Sequence, residues 1–151
     1  MKKSNGFSLV EILIVLSIAI VLVLIGIPTT RQLIPSFELT SSTREIASQL
    51  RYAAQQAVTE QVNYLVKFDT VNDQYSLYRI PDPGQPEVEE YIETKDLANS
   101  VDFQSITGLT DNEVRFNSAG APSDSGQIVL ENSQAKTKTV DIRPSGYVKT
   151  D

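Results

Sequence analysis

The sequence predicts an α+β protein: a long N-terminal α-helical spine, apolar in its first part and amphipathic in its second, packed on a C-terminal, mainly antiparallel β-sheet domain. Three observations carry that prediction. An apolar run opens the chain from Phe7 to Ile27, apolar residues recur at three- and four-residue spacing from Ile46 to Val58, and short β-prone runs with turn residues between them fill the rest. At 151 residues, 40 % hydrophobic and 21 % charged, the chain suits one compact domain plus an N-terminal extension.

The apolar run reads FSLVEILIVLSIAIVLVLIGI, 21 residues with one charge, Glu11. As a helix it would be roughly 32 Å long, the thickness of the hydrocarbon layer, so residues 7–27 are predicted to form a transmembrane helix. Lys2 and Lys3 precede it, and positive residues stay on the cytoplasmic side, which places the C-terminal domain outside the cytoplasm. An ordinary secretory signal would have a shorter apolar core and small residues at its cleavage site, whereas this run ends in IGIPTT. An uncleaved anchor is the plain rival. Glu11 argues against it, because an acidic side chain in a spanning helix costs on the order of 2–3 kcal/mol, less near an end. Glu11 either reaches the headgroups or awaits a cationic partner.

The residues Gly6 to Glu11, GFSLVE, resemble the processing motif of type IV prepilins and pseudopilins: a short basic leader, a glycine before the cut, a phenylalanine after it, and glutamate at the fifth mature position. The resemblance implies that prepilin peptidase removes residues 1–6 by cutting between Gly6 and Phe7. It implies N-methylation of Phe7 and a role for Glu11 in filament assembly. The physical chemistry agrees: glycine leaves the scissile backbone unobstructed, and cleavage creates an amine that a carboxylate in apolar surroundings can neutralise.

Gly26, Pro28 and Pro35 predict bends or loosening where the apolar run gives way to the helix continuation, residues 28–61, with Pro28 the expected kink. Ser42-Thr-Arg-Glu45 fits either a capping box or the interior of a longer helix. Beyond it Ile46, Leu50, Ala53, Ala54, Ala57 and Val58 form one apolar face, with Ser48, Gln49, Arg51, Gln55 and Gln56 between them. The β domain, residues 62–151, is predicted from runs at Val62–Phe68, Gln74–Ile80, Val88–Glu93, Val101–Ile106, Glu113–Ser118, Gln127–Asn132, Thr139–Pro144 and Tyr147–Thr150. Asp69 to Asp73 reads as a hairpin turn, and Pro81 to Pro86 as an exposed connection. LRYAAQQAV, FNSAGAP, GQIVLEN and VDIRPSGYVK resemble the GspH/FimT-type minor pseudopilins and minor pilins, whose C-terminal part carries an F-x-x-x-G turn and a final glycine turn.

Composition narrows the chemistry. The chain has no cysteine and no histidine, which removes thiolate nucleophiles, disulfides, ordinary zinc sites and the commonest general base. Thirteen basic and 19 acidic residues, or 11 and 19 without the leader's two lysines, make an acidic body that disfavours non-specific DNA binding. Ser133-Gln-Ala-Lys136 satisfies the S-x-x-K signature of penicillin-recognising enzymes, but sits in a polar turn without an S-D-N companion. Asp69, Asn72 and Asp73 offer oxygen ligands to calcium, though such turns usually bond their own backbone. Asp82, Glu87, Glu89, Glu90, Glu93 and Asp96 form either a protective edge or a docking face for a basic partner. Lys136, Lys138, Arg143 and Lys149 are the candidate DNA contacts, interleaved with Glu131, Asp141 and Asp151.

The expectation is a non-enzymatic filament subunit with no cofactor and no resident metal. As the resemblance implies, its partners would be prepilin peptidase, other pilin or pseudopilin subunits, the inner-membrane assembly platform and membrane lipid before assembly. It would lie first in the bacterial cytoplasmic membrane and then in an extracytoplasmic filament of a type IV pilus, type II secretion or DNA-uptake system. A nucleic-acid receptor at a competence-pilus tip and an unprocessed membrane-anchored β domain are the alternatives.

Overall fold

The computed structural model describes residues 8–81 and 88–151, with backbone alone for 24–32. Helix α1 runs from Leu9 to Glu60, 52 residues, and among the described residues it is followed by strands and one short 3-10 turn at Thr110–Asn112. The chain divides between Ile34 and Pro35 into two units. The helical assignment is continuous through Gly26, Pro28 and Pro35, so the prolines do not end the helix. Each proline lacks the N–H that an intrahelical hydrogen bond would use. Ser42-Thr-Arg-Glu45 lies inside that helix, not at its start: Ser42 and Thr43 are buried, and the Thr43 hydroxyl donates back to the Leu39 carbonyl at 2.6 Å. The helix ends where Gln61 turns left-handed (φ 57°), its side-chain amide donating to the Val58 carbonyl at 2.6 Å.

Among the described residues of the second unit, eight strands form two antiparallel sheets. The first has the order β3-β2-β1-β5, from β1 (Asn63–Asp69), β2 (Gln74–Ile80), β3 (Glu90–Asp96) and β5 (Glu113–Phe116). The second has the order β4-β6-β7-β8, from β4 (Val101–Thr107), β6 (Gly126–Asn132), β7 (Thr137–Ile142) and β8 (Val148–Thr150). The β1–β2 hairpin closes through the Asp69 to Asp73 turn, with Asn63 opposite Ile80 and Asp69 opposite Gln74. The third predicted run is shifted: its pairing begins at Glu90 and extends to Asp96, with a bulge opposite Leu77 and Tyr78. Of the predicted connection Pro81 to Pro86, all but Pro81 lies outside the described residues.

Both sheets share one helix face. Leu39, Thr43, Ile46, Leu50, Ala53 and Ala57 are buried, at alternating spacings of four and three that keep them on one stripe. Ala53 and Ala57 are small enough to let strands approach. Against this stripe lie Val66, Phe68, Leu77, Val114 and Phe116 from the first sheet, and Val101, Ile128, Leu130, Val140 and Ile142 from the second. The buried side chains alternate along β6 as Ile128, Leu130 and Asn132, the period of two that a half-covered strand imposes. Two residues depart from the predicted face. Val58 is exposed, and Gln49 is buried, its amide donating to the Glu93 carboxylate at 2.7 Å.

Two glycine turns complete the packing at the far end of the helix. Gly120 has φ 77°, and a β-carbon there would come within 2.9 Å of a Val58 methyl, so the FNSAG turn sits directly on the helix. Gly146 has φ 76°, and its added β-carbon would meet the Gly120 carbonyl at 2.9 Å, so the last turn sits on the first. Asn117 organises the first turn by accepting the Ala119 and Ala121 backbone N–H groups at 3.0 Å each.

Polar ties fix the helix to each sheet. Arg79 donates to Glu60 at 2.6 Å and to Glu90 at 2.9 Å, and Lys95 lies 3.6 Å from Glu45. On the other side Arg51 donates to the Val148 carbonyl at 2.6 Å, Lys136 to Ser36 at 3.1 Å, and Ser100 to Glu38. The Arg79 guanidinium, aided by the Tyr64 hydroxyl, holds the Glu60 carboxyl below the usual glutamate range. Burial, with Glu60 beside it, pushes the Tyr64 hydroxyl up to about 12.

Two outcomes follow from these contacts. Leu50→Asp places an unpaired charge among fully buried side chains and should cost more than about 3 kcal/mol, lowering the melting temperature by roughly 10 °C or more. Unchanged melting would show that this face is not the core. Because the folded-state pKa of Glu60 is depressed, its stabilising contribution is complete above the ordinary glutamate range and is lost as pH falls through the lower folded value. Arg79→Met should therefore move the Glu60 titration, followed by NMR, upward toward the ordinary value. An unmoved midpoint would mean that Arg79 does not set it.

Candidate functional site

Glu11 stands in the first turn of α1, where the helix N-terminal dipole favours a carboxylate. Its own N–H donates to the Ser8 carbonyl at 3.0 Å, and that of Ile12 to the same oxygen at 3.2 Å, so the turn is formed. Glu11, Ile12, Val15 and Leu16 line one side of the helix. The side chains around it are apolar and bare: Leu9 is 75 % exposed, and every described leucine, isoleucine and valine up to Val23 is more than half exposed. Ser17, the other polar residue between Leu9 and Val23, donates its hydroxyl to the Ile14 carbonyl at 3.1 Å. Glu11 is thus the one charge on an apolar helix surface.

Gly6 and Phe7 lie outside the described residues, and at Pro28 only the helical backbone is described. Among the described residues no helix is long and apolar enough to cross a membrane; the described side chains of the apolar run are those from Leu9 to Val23.

Most of the remaining candidates have polar atoms committed within the chain. Asp69 accepts the Val71 and Asn72 backbone N–H groups at 2.9 and 3.1 Å and the Asn72 side chain at 2.6 Å, which holds its carboxyl below the usual aspartate range. Asp73, left-handed at φ 51°, accepts the Phe103 N–H at 3.0 Å and so ties the first hairpin to β4. Ser133 to Lys136 form the β6–β7 turn around Asn132, whose side-chain oxygen accepts the Gln134 and Lys136 N–H groups at 3.0 Å. Of the four candidate DNA contacts, all lie on or beside β7 and β8. Lys136 donates to Ser36, Arg143 is 3.4 Å from Asp141 and 5.9 Å from the centre of the Tyr147 ring, Lys149 pairs with Asp151, and Lys138 is half-buried on β7. A phosphate track needs cations turned outward and unopposed, and these are interleaved with acids.

The acidic stretch is also partly engaged: Lys67 holds Glu89 at 2.7 Å, Arg79 holds Glu90, and Gln49 holds Glu93. Sequence reasoning missed the positioning roles of Gln49, Arg51 and Asp73. Only Asp73 had a signal, since Asp at the end of a tight hairpin turn favours a left-handed backbone.

A family model described as type II transport protein GspH matches residues 42–146, and one described as the prokaryotic N-terminal methylation motif matches residues 1–27. No curated protein sequence matches the chain. Among solved structures, the minor pseudopilin EpsH from the type 2 secretion system of Vibrio cholerae is similar at a TM-score of 0.62 and 10 % identity, covering 76 % of this chain and 96 % of that one. The type IV minor pilin FimU of Pseudomonas aeruginosa is similar at 0.59 and 14 % identity, covering 77 % and 90 %. At these identities the likeness concerns the fold alone. The family model spans most of the helix face and nearly all the strands described above, and the chain therefore belongs to the family of the type II transport protein GspH, a minor pseudopilin or minor pilin with an N-terminal methylation motif.

Proposed function

We propose that this subunit is held in the bacterial cytoplasmic membrane by residues 7–27, is cut between Gly6 and Phe7 and N-methylated on Phe7 by prepilin peptidase, and then enters a filament through its helix. The inner-membrane assembly platform passes it from lipid to filament. Its work is packing and charge neutralisation, not catalysis. One observation carries this reading: the matched methylation motif places a single carboxylate, Glu11, in the first turn of a helix whose surrounding side chains are apolar and exposed. The 21-residue length of Phe7 to Ile27 supports the span. The internal commitment of Asp69, Asp73 and Lys136 supports a structural role over a metal or serine-lysine centre.

Charge matching gives the mechanism. In lipid the Glu11 carboxylate, one turn into the helix, reaches toward the headgroups, which lowers its desolvation cost. Cleavage creates a methylated amine four positions earlier in the sequence. In the filament Glu11 faces such an amine from a neighbouring subunit. Opposite charges about 4 Å apart attract by roughly 4 kcal/mol at an effective dielectric near 20, before desolvation is subtracted. A net gain of about 1.4 kcal/mol is a factor of ten in docking.

Glu11→Val should leave membrane insertion unchanged or improved, leave cleavage after Gly6 intact, and lower incorporation into filaments at least about tenfold. The measurement is the ratio of processed subunit in sheared filaments to that in membranes. Wild-type incorporation of the variant would refute the pairing role, and loss of cleavage would move the role of Glu11 to the peptidase step.

A further inference from the structure

Among the described residues the two sheets have four edges, and three of them each carry at least one hydrogen bond to another part of the chain. Beside β5, Ser123 donates its N–H to the Arg115 carbonyl at 2.7 Å and accepts the Arg115 N–H at 3.3 Å, while Pro122 bridges to Phe116. The outer side of β4 is held by Asp73 at Phe103, and that of β8 by Arg51 at the Val148 carbonyl. The fourth edge differs. β3 pairs with β2 on one side, and among the described residues nothing is hydrogen-bonded to the backbone of Glu90–Asp96 on the other. Open edges invite strand pairing, and proteins generally cover those they do not use.

Side chains along this edge indicate what it would accept. Val88, Tyr91 and Ile92 are 64, 61 and 42 % exposed, three large apolar side chains within five residues. Tyr91 is braced edge-on against Tyr78 at 5.9 Å, and the Lys67 ammonium lies 5.2 Å from the centre of the Tyr78 ring, so the aromatic surface is fixed in place. Charge then discriminates between occupants. Lys67 is shared between Glu89 and Glu113, Arg79 between Glu60 and Glu90, and Lys95 lies beside Glu45. With Glu93 and Asp96 added, carboxylates around the edge outnumber its cations. A second copy pairing edge to edge would bring the carboxylates of Glu89, Glu90, Glu93 and Asp96 together with those of its own kind. The occupant must therefore differ from this strand and carry positive charge.

We propose that the outer edge of β3 receives an extended, net basic segment with alternating apolar side chains from a neighbouring filament subunit, joined by main-chain hydrogen bonds. The main chain supplies the pairing, Val88, Tyr91 and Ile92 supply apolar contact, and the surplus carboxylates select the partner. Only the source of the strand rests on the filament reading.

The test uses the full chain in non-ionic detergent micelles, where no filament is needed, so failure here would leave the filament reading standing. Three labelled peptides are compared: alternating valine and threonine with lysines at both ends, the same peptide with glutamates at both ends, and the lysine peptide with alternate amides N-methylated. The lysine peptide should bind at least about tenfold more tightly than its glutamate twin, weaken with salt, and slow amide exchange within Glu90–Asp96. N-methylation should abolish binding. No binding, equal binding of the charge twins, undiminished binding of the methylated peptide, or protection confined to other strands would each overturn the proposal.

Discussion

The C-terminal unit depends on one contact shared three ways, the stripe of α1 from Leu39 to Ala57 seated against both sheets. Neither sheet is large enough to bury its own apolar face, and each presents about half of the side chains that meet the helix. The stripe narrows from Leu39, Ile46 and Leu50 to Ala53 and Ala57. Large residues give way to small ones along the stripe, and beside its end the FNSAG turn lies close to Val58 and the Ala54 carbonyl. Phe68 and Phe103 meet edge-on at 5.9 Å, which closes the gap between the sheets beside the helix. Remove the helix face and both sheets lose their shared third side.

That dependence explains the ends of the unit as well. Polar ties run along both flanks of the stripe, Gln49 and Glu60 toward the first sheet, Glu38 and Arg51 toward the second. Most are partly exposed and individually weak, so they serve register more than stability. The two glycine turns act differently, since at Gly120 and Gly146 backbone approaches neighbouring atoms so closely that a side chain would collide. In this chain the two glycines thus answer a packing requirement, set by the helix surface at Gly120 and by the first turn at Gly146.

Much of this was legible in the sequence because period is set locally. The 3–4 spacing from Ile46 onward and the alternation in QYSLYRI or GQIVLEN follow from helix and strand geometry. Gln74–Ile80 was placed without error for that reason. What stayed hidden depends on partners distant in sequence. Gln49 reads as a surface residue until Glu93 is brought to it, and Val58 reads as core until the stripe is seen to end at Ala57. Glu90–Asp96 follows a proline-rich connection and carries little alternation, so only pairing with β2 fixes where it begins. Glu11 was legible because a charge in an apolar run is conspicuous before any fold is known.

The two ends of the molecule thus divide the labour. On the proposed reading the C-terminal unit supplies a fixed surface, while the apolar N-terminal helix with its single carboxylate is used once a complementary positive charge appears. On that reading the charge is the amine that processing would free at Phe7, so processing is the step to measure. Intact mass of the wild-type protein, purified from cells with an active prepilin peptidase, reads it directly. The account predicts a chain beginning at Phe7 and carrying one added methyl group. A mass that retains Met1 to Gly6 would contradict it.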